Sequence, residues 1–237
     1  MSNSSLINYT NISPNKSAPR NKPITKITIH HVVGVWSAKQ IADHFKSPSL
    51  NASCNYGIGN DGQISLVVDE KDRSWCSSNA ANDHQAITIE VANSALTSDY
   101  PVSDKAYDKL IDLCVDICKR NNISKLYYDG TPNASLTHHW MFSDTTCPGP
   151  YLKRRTPEIC AAVNSRLEGS TSYSVRVTAD TLNIRTGPGT NHGTNGSIAD
   201  KGVYTIIQES SGQGSTKGWG KLKSGAGWIS LEYVTKL

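Results

Sequence analysis

The sequence predicts an α/β domain with a mixed central sheet and flanking helices, followed by a small all-β barrel. Within the first 167 residues, strand-like alternations are interspersed with amphipathic helical patterns, the order typical of an α/β layer fold. Beyond residue 174, short strands are separated only by Gly, Pro and Asn turns. A Glu-Gly-Ser-Thr-Ser stretch at 168–172 has the composition of a linker. We therefore expect a first domain at 1–167, a linker at 168–174 and a second domain at 175–237.

The first half of the α/β region contains three recognisable elements. A strand is predicted at 24–30, ending in a His-His pair at 30 and 31. Ser37 and Gln40 have the spacing of a capping box, which predicts a helix from there to about residue 45. The Asn-Asp-Gly turn at 60–62 separates two apolar runs, 56–59 and 64–68, and indicates a hairpin.

The second half of this region contains a further strand and two helices. Residues 87–91 alternate as Ile-Thr-Ile-Glu-Val, which predicts a half-buried strand with Glu90 on the face opposite the isoleucines. Ser103 is expected to cap a long amphipathic helix ending near residue 121, and a last helix is predicted at 156–167. Cys114 and Cys118, four residues apart on that long helix, are expected to be small core residues.

In the C-terminal region the predicted strands are 175–178, 182–185, 196–199, 203–210, 218–222 and 227–229. A unit of this size is too small for a deep active site, so binding is the expected role. Trp219 and Trp228 are predicted to belong to the core of the small barrel rather than to a ligand-binding surface.

Composition and charge exclude several classes of protein. No run approaches the roughly 20 apolar residues that cross a bilayer, so we expect no membrane partner. The first 15 residues are polar, so no secretory signal is expected. Residues 169–237 contain seven Lys and Arg against four Asp and Glu, which suits an anionic partner such as a cell-wall polymer or nucleic acid. No basic cluster interleaved with aromatic residues indicates nucleic-acid binding.

The histidines and one cysteine have the side chains that a zinc site needs. His30 ends a predicted strand, His138 and His139 follow another short run, and Cys147 lies eight residues further on. A catalytic zinc takes three protein ligands and leaves one position open. Because neighbouring side chains on a strand face opposite sides, only one histidine of each pair can reach a common centre. Spacing alone leaves open that these are ordinary structural histidines.

Four motifs in order give the chain a specific resemblance. They are ITIHH (27–31), NYGIGNDG (55–62), ITIEVAN (87–93) and a histidine at 139 followed by CPG at 147–149. Together these motifs, within residues 20–167, resemble the zinc-dependent N-acetylmuramoyl-L-alanine amidases of the type 2 family. That family includes phage endolysins, bacterial autolysins and animal peptidoglycan-recognition proteins.

The resemblance implies roles for five residues. His30, His139 and Cys147 would bind Zn²⁺, with His31 and His138 supporting or packing beside them. Glu90 would be the general base toward a zinc-activated water, and Thr145 would donate a hydrogen bond to the tetrahedral oxyanion.

Two positions depart from the family pattern. A tyrosine that assists catalysis in some members falls at Cys54, and a histidine common after the following tryptophan is replaced by Cys76. His31, Cys54 or Cys76 could also close the metal site as a fourth ligand. A purely structural zinc site is the alternative that such closure would produce.

The C-terminal region resembles the bacterial SH3-like domains attached to wall hydrolases. LNIRTGPG (182–189), GWGKL (218–222) and GWI (227–229) carry this resemblance. In relatives the module targets the wall of a particular host, so peptidoglycan and wall polymers are the expected partners. A monomer is the default expectation, with oligomers possible through extra copies of the SH3-like domain.

The combined resemblance implies a phage endolysin that cleaves the amide between N-acetylmuramic acid and L-alanine in Gram-positive walls. The protein would stay in the host cytoplasm until released through a separate phage-made pore. Three alternatives remain: a host or prophage autolysin with the same chemistry, a zinc endopeptidase of the stem peptide, and a non-catalytic peptidoglycan-binding protein on the same fold.

Overall fold

The computed structural model describes residues 2–167 and 172–237. Residues 168–171 of the expected linker lie outside the described residues, whereas its last two, Tyr173 and Ser174, belong to a strand. The chain divides into two compact units, Met1–Leu167 and Glu168–Leu237. Each unit has its own apolar core.

The first unit mixes helices and strands, as expected. Its strands in chain order are β1 (Tyr9–Thr10), β2 (Lys16–Ser17), β3 (Lys26–His31), β4 (Tyr56–Ile58), β5 (Ile64–Leu66), β6 (Arg73–Ser74), β7 (Ala86–Val91) and β8 (Leu136–His138). Its helices are α1 (Ala38–His44), α2 (Ala80–Gln85), α3 (Asp104–Arg120) and α4 (Gly149–Leu167). Short 3₁₀ turns lie at Pro48–Leu50 and His139–Met141.

Six of these strands form one mixed sheet, in the order β1-β5-β4-β7-β3-β8. The central pairs β4–β7, β7–β3 and β3–β8 are parallel, while β4 and β5 form the antiparallel hairpin predicted at 60–62. Strands β2 and β6 pair separately. Because the central strands run in the same direction, their carboxyl ends lie at one edge of the sheet.

The main apolar core lies on one face of the sheet, where Ile27, Ile29, Ile87 and Ile89 meet α3 and α4. Helix α1 covers the opposite face: a Cβ placed on Gly57 would lie 2.5 Å from Ile41 Cγ2, so only glycine allows this close approach. Strand β7 was expected to be half-buried, but all six of its residues are buried. The prediction was wrong because Ser74 and Cys76 cover the face of Thr88 and Glu90, while the core helices cover the isoleucine face.

Two of the three predicted helices begin where the sequence predicted. Ser37 and Gln40 form the capping box of α1, and Ser103 caps α3 through the Ala106 N–H. Helix α4 begins at Gly149 rather than near residue 156. Pro157 lies inside the helix, and the earlier turns are held in the core by Leu152, which is 1% exposed. None of the described helices is both long enough and apolar enough to span a membrane.

The second unit is all β, as predicted. Its strands are β9 (Tyr173–Val177), β10 (Leu182–Arg185), β11 (Thr194–Ile198), β12 (Val203–Gly212), β13 (Ser215–Leu222), β14 (Trp228–Ser230) and β15 (Val234–Lys236), with a 3₁₀ turn at Leu231–Tyr233. They form a sheet in the order β11-β10-β14-β13-β12-β9-β15, with antiparallel pairs throughout. Trp219 and Trp228 are both buried, at 2% and 9% exposed.

Candidate active site

The candidate site lies at the carboxyl edge of the central parallel strands. In the register of β3 and β7, His30 lies opposite Glu90. On the other side of β3, Ile29 pairs with His138, and His139 begins the 3₁₀ turn immediately after β8. The topology therefore brings together residues that are about 50 to 110 positions apart in the sequence.

Three side chains converge there as a candidate metal site. The ligand atoms of His30, His139 and Cys147 all lie within 4.8 Å of one another. Cys147 Sγ is 3.6 Å from His30 Nδ1, and the ring centroids of the two histidines are 4.7 Å apart. His139 Nε2 is buried and has no hydrogen-bond partner among the described residues. Two imidazole nitrogens and one sulfur are a donor set that fits a zinc ion. The unpartnered nitrogen of His139 is free to bind such an ion.

A hydrogen-bond chain fixes the orientation of His30. Its Nε2 lies 3.3 Å from Ser77 Oγ. Asn82 Nδ2 donates to Ser77 Oγ at 3.1 Å and to Thr28 Oγ1 at 3.0 Å. Asp83 Oδ2 accepts from the backbone N–H groups of Cys76 and Ser77, both at 3.0 Å. With Nε2 engaged by Ser77, Nδ1 is left as the nitrogen that faces Cys147, as expected of a metal ligand supported through its other ring nitrogen.

The loop that carries Cys147 is braced by two hydrogen bonds. The backbone N–H of Cys147 donates to Thr145 Oγ1 at 3.2 Å, and its carbonyl accepts from the Trp140 N–H at 3.2 Å. The second bond ties the cysteine loop to the turn that carries His139. Thr145 therefore lies beside the candidate ligands, half-buried, with its hydroxyl proton still available to donate.

Burial controls the charge of these groups. It lowers the pKa of His30 well below its ordinary value, with His139 adding to the effect, and it lowers the pKa of His139 as well. Both imidazoles are therefore neutral, the form that binds a cation. Burial also raises the pKa of the Cys147 thiol, with Glu90 adding to the effect. A bound cation is what would favour the thiolate in this environment.

Glu90 is a buried carboxyl group with few partners. One oxygen accepts a weak hydrogen bond from Cys76 Sγ at 3.8 Å, and the other has no hydrogen-bond partner among the described residues. Burial raises the pKa of Glu90 to about 7. A carboxyl that titrates near neutral pH is suited to accept and return a proton. Ligand atoms of Glu90, His30 and Cys76 also lie within 4.8 Å of one another, so the carboxyl is next to the candidate ligands.

The remaining sequence candidates lie outside the three-residue ligand set. His138 is fully buried, with Nε2 3.1 Å from Thr156 Oγ1 and Nδ1 accepting from Trp140 Nε1 at 3.3 Å. His31 packs edge-on against the Tyr100 ring. Cys54 is buried with the α1 residues. Cys76 approaches His30 and Glu90 but is not grouped with His139 and Cys147.

Sequence reasoning missed the residues that support the site, namely Ser77, Asn82 and Asp83. They lie on the segment between β6 and β7. Ser77 contacts His30, and Asn82 and Asp83 each form a hydrogen bond with Ser77. Polar residues are common in segments that connect strands, so their types carry little information. The useful signal would have been Asn79, which caps α2 and so predicts that Asn82 and Asp83 are on a helix.

Comparisons with known proteins agree with this architecture. The family model described as N-acetylmuramoyl-L-alanine amidase matches residues 20–150, more than half of the chain. That span includes His30, Glu90, His139, Thr145 and Cys147. No curated protein sequence matches.

Several solved structures share the fold. A mutant of PlyL has 18% sequence identity and a TM-score of 0.54, covering 67% of this chain and 98% of that chain. A mutant endolysin from Bacillus subtilis has 19% identity and a TM-score of 0.52, covering 66% and 99%. AmpD has 16% identity and a TM-score of 0.51, covering 66% and 95%. With the family match, these findings establish that the chain belongs to the N-acetylmuramoyl-L-alanine amidase family and is an enzyme with that amidase activity.

Proposed function

We propose that this amidase is a zinc-dependent endolysin of a phage that infects Gram-positive bacteria. Its substrate would be the amide between the lactyl group of N-acetylmuramic acid and the L-alanine of the stem peptide. The observation that carries the proposal is the convergence of His30, His139 and Cys147 next to the buried carboxyl of Glu90.

His30, His139 and Cys147 are the residues that would hold the zinc. Three protein ligands leave a fourth position, the arrangement of catalytic rather than structural zinc sites. Among the described residues, His31 and Cys54 belong to neither group of converging ligand atoms. Cys76 converges with His30 and Glu90 but not with His139 and Cys147. A bound zinc would supply Lewis acidity, polarising the scissile carbonyl and favouring deprotonation of water.

Glu90 takes the proton of the attacking water and passes it to the leaving amine. Its pKa is about 7, so near neutral pH the carboxylate can accept a proton and the carboxylic acid can release it again. Removal from solvent causes this shift, so the packing around the carboxyl prepares it for both steps. Cys76 contacts one oxygen, and the other has no hydrogen-bond partner among the described residues.

Thr145 donates a hydrogen bond to the oxyanion of the tetrahedral intermediate. Its oxygen already accepts from the Cys147 N–H, which fixes the hydroxyl beside the candidate ligands while its proton is unassigned. A donor held in place before the reaction begins stabilises developing charge without reorganisation.

The C-terminal unit binds the cell wall in this proposal. Support comes from its excess of three positive charges over residues 169–237 and from its all-β architecture, separate from the catalytic unit. An SH3-like barrel is the fold we assign to it. A host or prophage autolysin would use the same two parts, and the protein would act on the wall after leaving the cytoplasm.

Metal analysis and truncation test the two halves of the proposal. The purified protein should contain about one zinc per chain, lose activity with a chelator, and regain it with Zn²⁺ but not Mg²⁺. A chain ending at residue 167 should still cleave soluble muropeptides while its retention on intact walls falls. Full activity after complete zinc removal would overturn the metal assignment, and unchanged wall retention would overturn the targeting role.

A further inference from the structure

We propose that Arg20 is a positioning residue of the candidate metal site, acting through the segment 70–86 that holds His30 in place. This segment contains β6 and α2 and ends at the first residue of β7. The inference rests on the proposed role of His30 as a zinc ligand. It goes beyond that role, because Arg20 is not one of the converging ligand residues.

The 70–86 segment supplies the contact that orients His30. Ser77 Oγ lies 3.3 Å from His30 Nε2. The backbone N–H groups of Cys76 and Ser77 both donate to Asp83 Oδ2 at 3.0 Å, and α2 carries that carboxylate. Because the part of the segment that reaches the site is bound to α2 in this way, the position of Ser77 depends on how both ends of the segment are fixed.

The guanidinium of Arg20 joins the two ends of the segment. At its start, Nε donates to the Glu70 carbonyl at 2.6 Å and Nη2 donates to the Asp72 carbonyl at 3.0 Å. At its end, Nη1 donates to the carbonyls of Asp83 at 3.2 Å, His84 at 2.8 Å and Ala86 at 3.2 Å. One side chain therefore ties together two stretches of chain that are separated by the residues contacting the site.

Burial makes this clamp rigid. Arg20 is 6% exposed, and its backbone N–H donates to the Lys71 carbonyl at 2.9 Å. Strand β2, just before it in the sequence, pairs with β6 of the same segment. Burial lowers the pKa of Arg20 to about 10, so the group is still charged near neutral pH. A charged donor group that is held on main-chain carbonyls fixes the backbone that carries them.

The clamp requires the planar, forked guanidinium of arginine. A lysine ammonium is a single nitrogen with three donors, which cannot reach carbonyls on both sides of the group. Arg20→Lys therefore keeps the positive charge and most of the buried stem but should release one end of the 70–86 segment. In that variant Ser77 should lose its fixed position against His30.

Zinc affinity of the full-length protein, measured against a competing chelator, tests the proposal. Arg20→Lys and Arg20→Ala should each bind zinc about tenfold more weakly, the lower end of the usual effect of losing support for a ligand. Val163→Ala, which opens a cavity in the core packing of α4, is the control for lost stability and should keep the wild-type affinity. His30→Ala gives the affinity expected when the ligand itself is missing.

Chemical rescue separates positioning from a general loss of stability. Millimolar guanidinium should occupy the space left in Arg20→Ala and restore most of its zinc affinity, whereas methylammonium at the same concentration should not. Guanidinium should leave the affinity of Val163→Ala unchanged. Hydrogen exchange provides a second measurement: the N–H groups of Cys76 and Ser77 should exchange faster in Arg20→Lys than in the wild type. Arg20→Lys also gives a result where Arg20→Ala fails to fold.

Wild-type zinc affinity in Arg20→Lys would overturn the inference, whatever the exchange rates show. An equal loss of affinity in Val163→Ala, with no rescue of Arg20→Ala by guanidinium, would also overturn it, because stability alone would then explain the effect. A wild-type protein that binds no zinc, or a His30→Ala variant that binds it normally, would instead remove the proposed metal role on which the inference rests.

Discussion

His30 and Glu90 lie opposite each other on the adjacent parallel strands β3 and β7. The backbone register therefore places a candidate metal ligand beside the candidate general base, on the sheet face opposite the isoleucine core. A slip of one residue in either strand would move its side chain to the other face. Two isoleucines and one threonine precede the pair on each strand, in register with one another, and the buried isoleucines prevent such a slip. Core packing therefore sets the geometry of the site.

The first prediction concerns Glu90. Glu90→Gln should retain bound zinc but lower the turnover of peptidoglycan by about 10²–10⁴, since the amide cannot accept a proton. Turnover and metal content measured on the same preparation separate the two effects. Glu158→Gln, on the exposed surface of α4, is the matched control. Near-normal turnover in Glu90→Gln would rule out Glu90 as the base.

The second prediction concerns the thiol ligand. Cys147→Ser replaces sulfur with a less favourable zinc donor at the same position, so the variant should bind zinc much more weakly and lose activity. Cys160→Ser is the control, because Cys160 is a buried cysteine in the α4 core that is not grouped with the candidate ligands. Equal zinc content in the two variants would argue against Cys147 as a ligand.

The third prediction concerns the residue that holds His30 from behind. Ser77→Ala removes the oxygen 3.3 Å from His30 Nε2, so the imidazole loses its fixed orientation. Zinc affinity, measured against a competing chelator, should fall by about 10–100-fold, the usual effect of losing such a support. Ser94→Ala, exposed just after β7, should bind zinc normally. An unchanged affinity in Ser77→Ala would show that the ligand is oriented by packing alone.

The fourth prediction concerns stability. Arg120 donates to both carboxylate oxygens of Glu70 at 2.7 Å, and the Glu70 side chain is 1% exposed. Arg120→Met leaves this carboxylate buried without its cation, which should lower the free energy of unfolding by about 3 kcal/mol. Arg154→Ala breaks the exposed pair with Asp99 and should leave the free energy of unfolding nearly unchanged, because solvent screens this pair. Chemical denaturation measures both, and equal losses would contradict the distinction between buried and exposed pairs.

Local patterns predicted most of the first unit correctly. The capping box of Ser37 and Gln40, the Ser103 cap and the turn at 60–62 are each complete within a few residues, so their structures do not depend on the rest of the chain. The start of α4 was predicted too late because the burial of Leu152, which belongs to the first turns of the helix, depends on the tertiary core.

The candidate site shows the same division. Motif resemblance named His30, Glu90, His139, Thr145 and Cys147. The structure places these residues near one another, and their roles stay predictions. It could not identify Ser77, since 47 positions separate it from His30 and no periodic pattern links them. The contact between Cys76 and Glu90 was equally hidden, because no local pattern links the segment after β6 to β7.

The most direct test of the central claim is to identify the bond that is cut. Purified Gram-positive peptidoglycan is digested with the enzyme, with its chelated form and with the chelated form after zinc is restored, and new amino termini and reducing sugars are quantified. The account predicts new N-terminal alanine that disappears on chelation and returns with zinc, with no new reducing ends. A different new terminal residue would indicate a stem-peptide endopeptidase, and either that result or cleavage independent of metal would contradict the account.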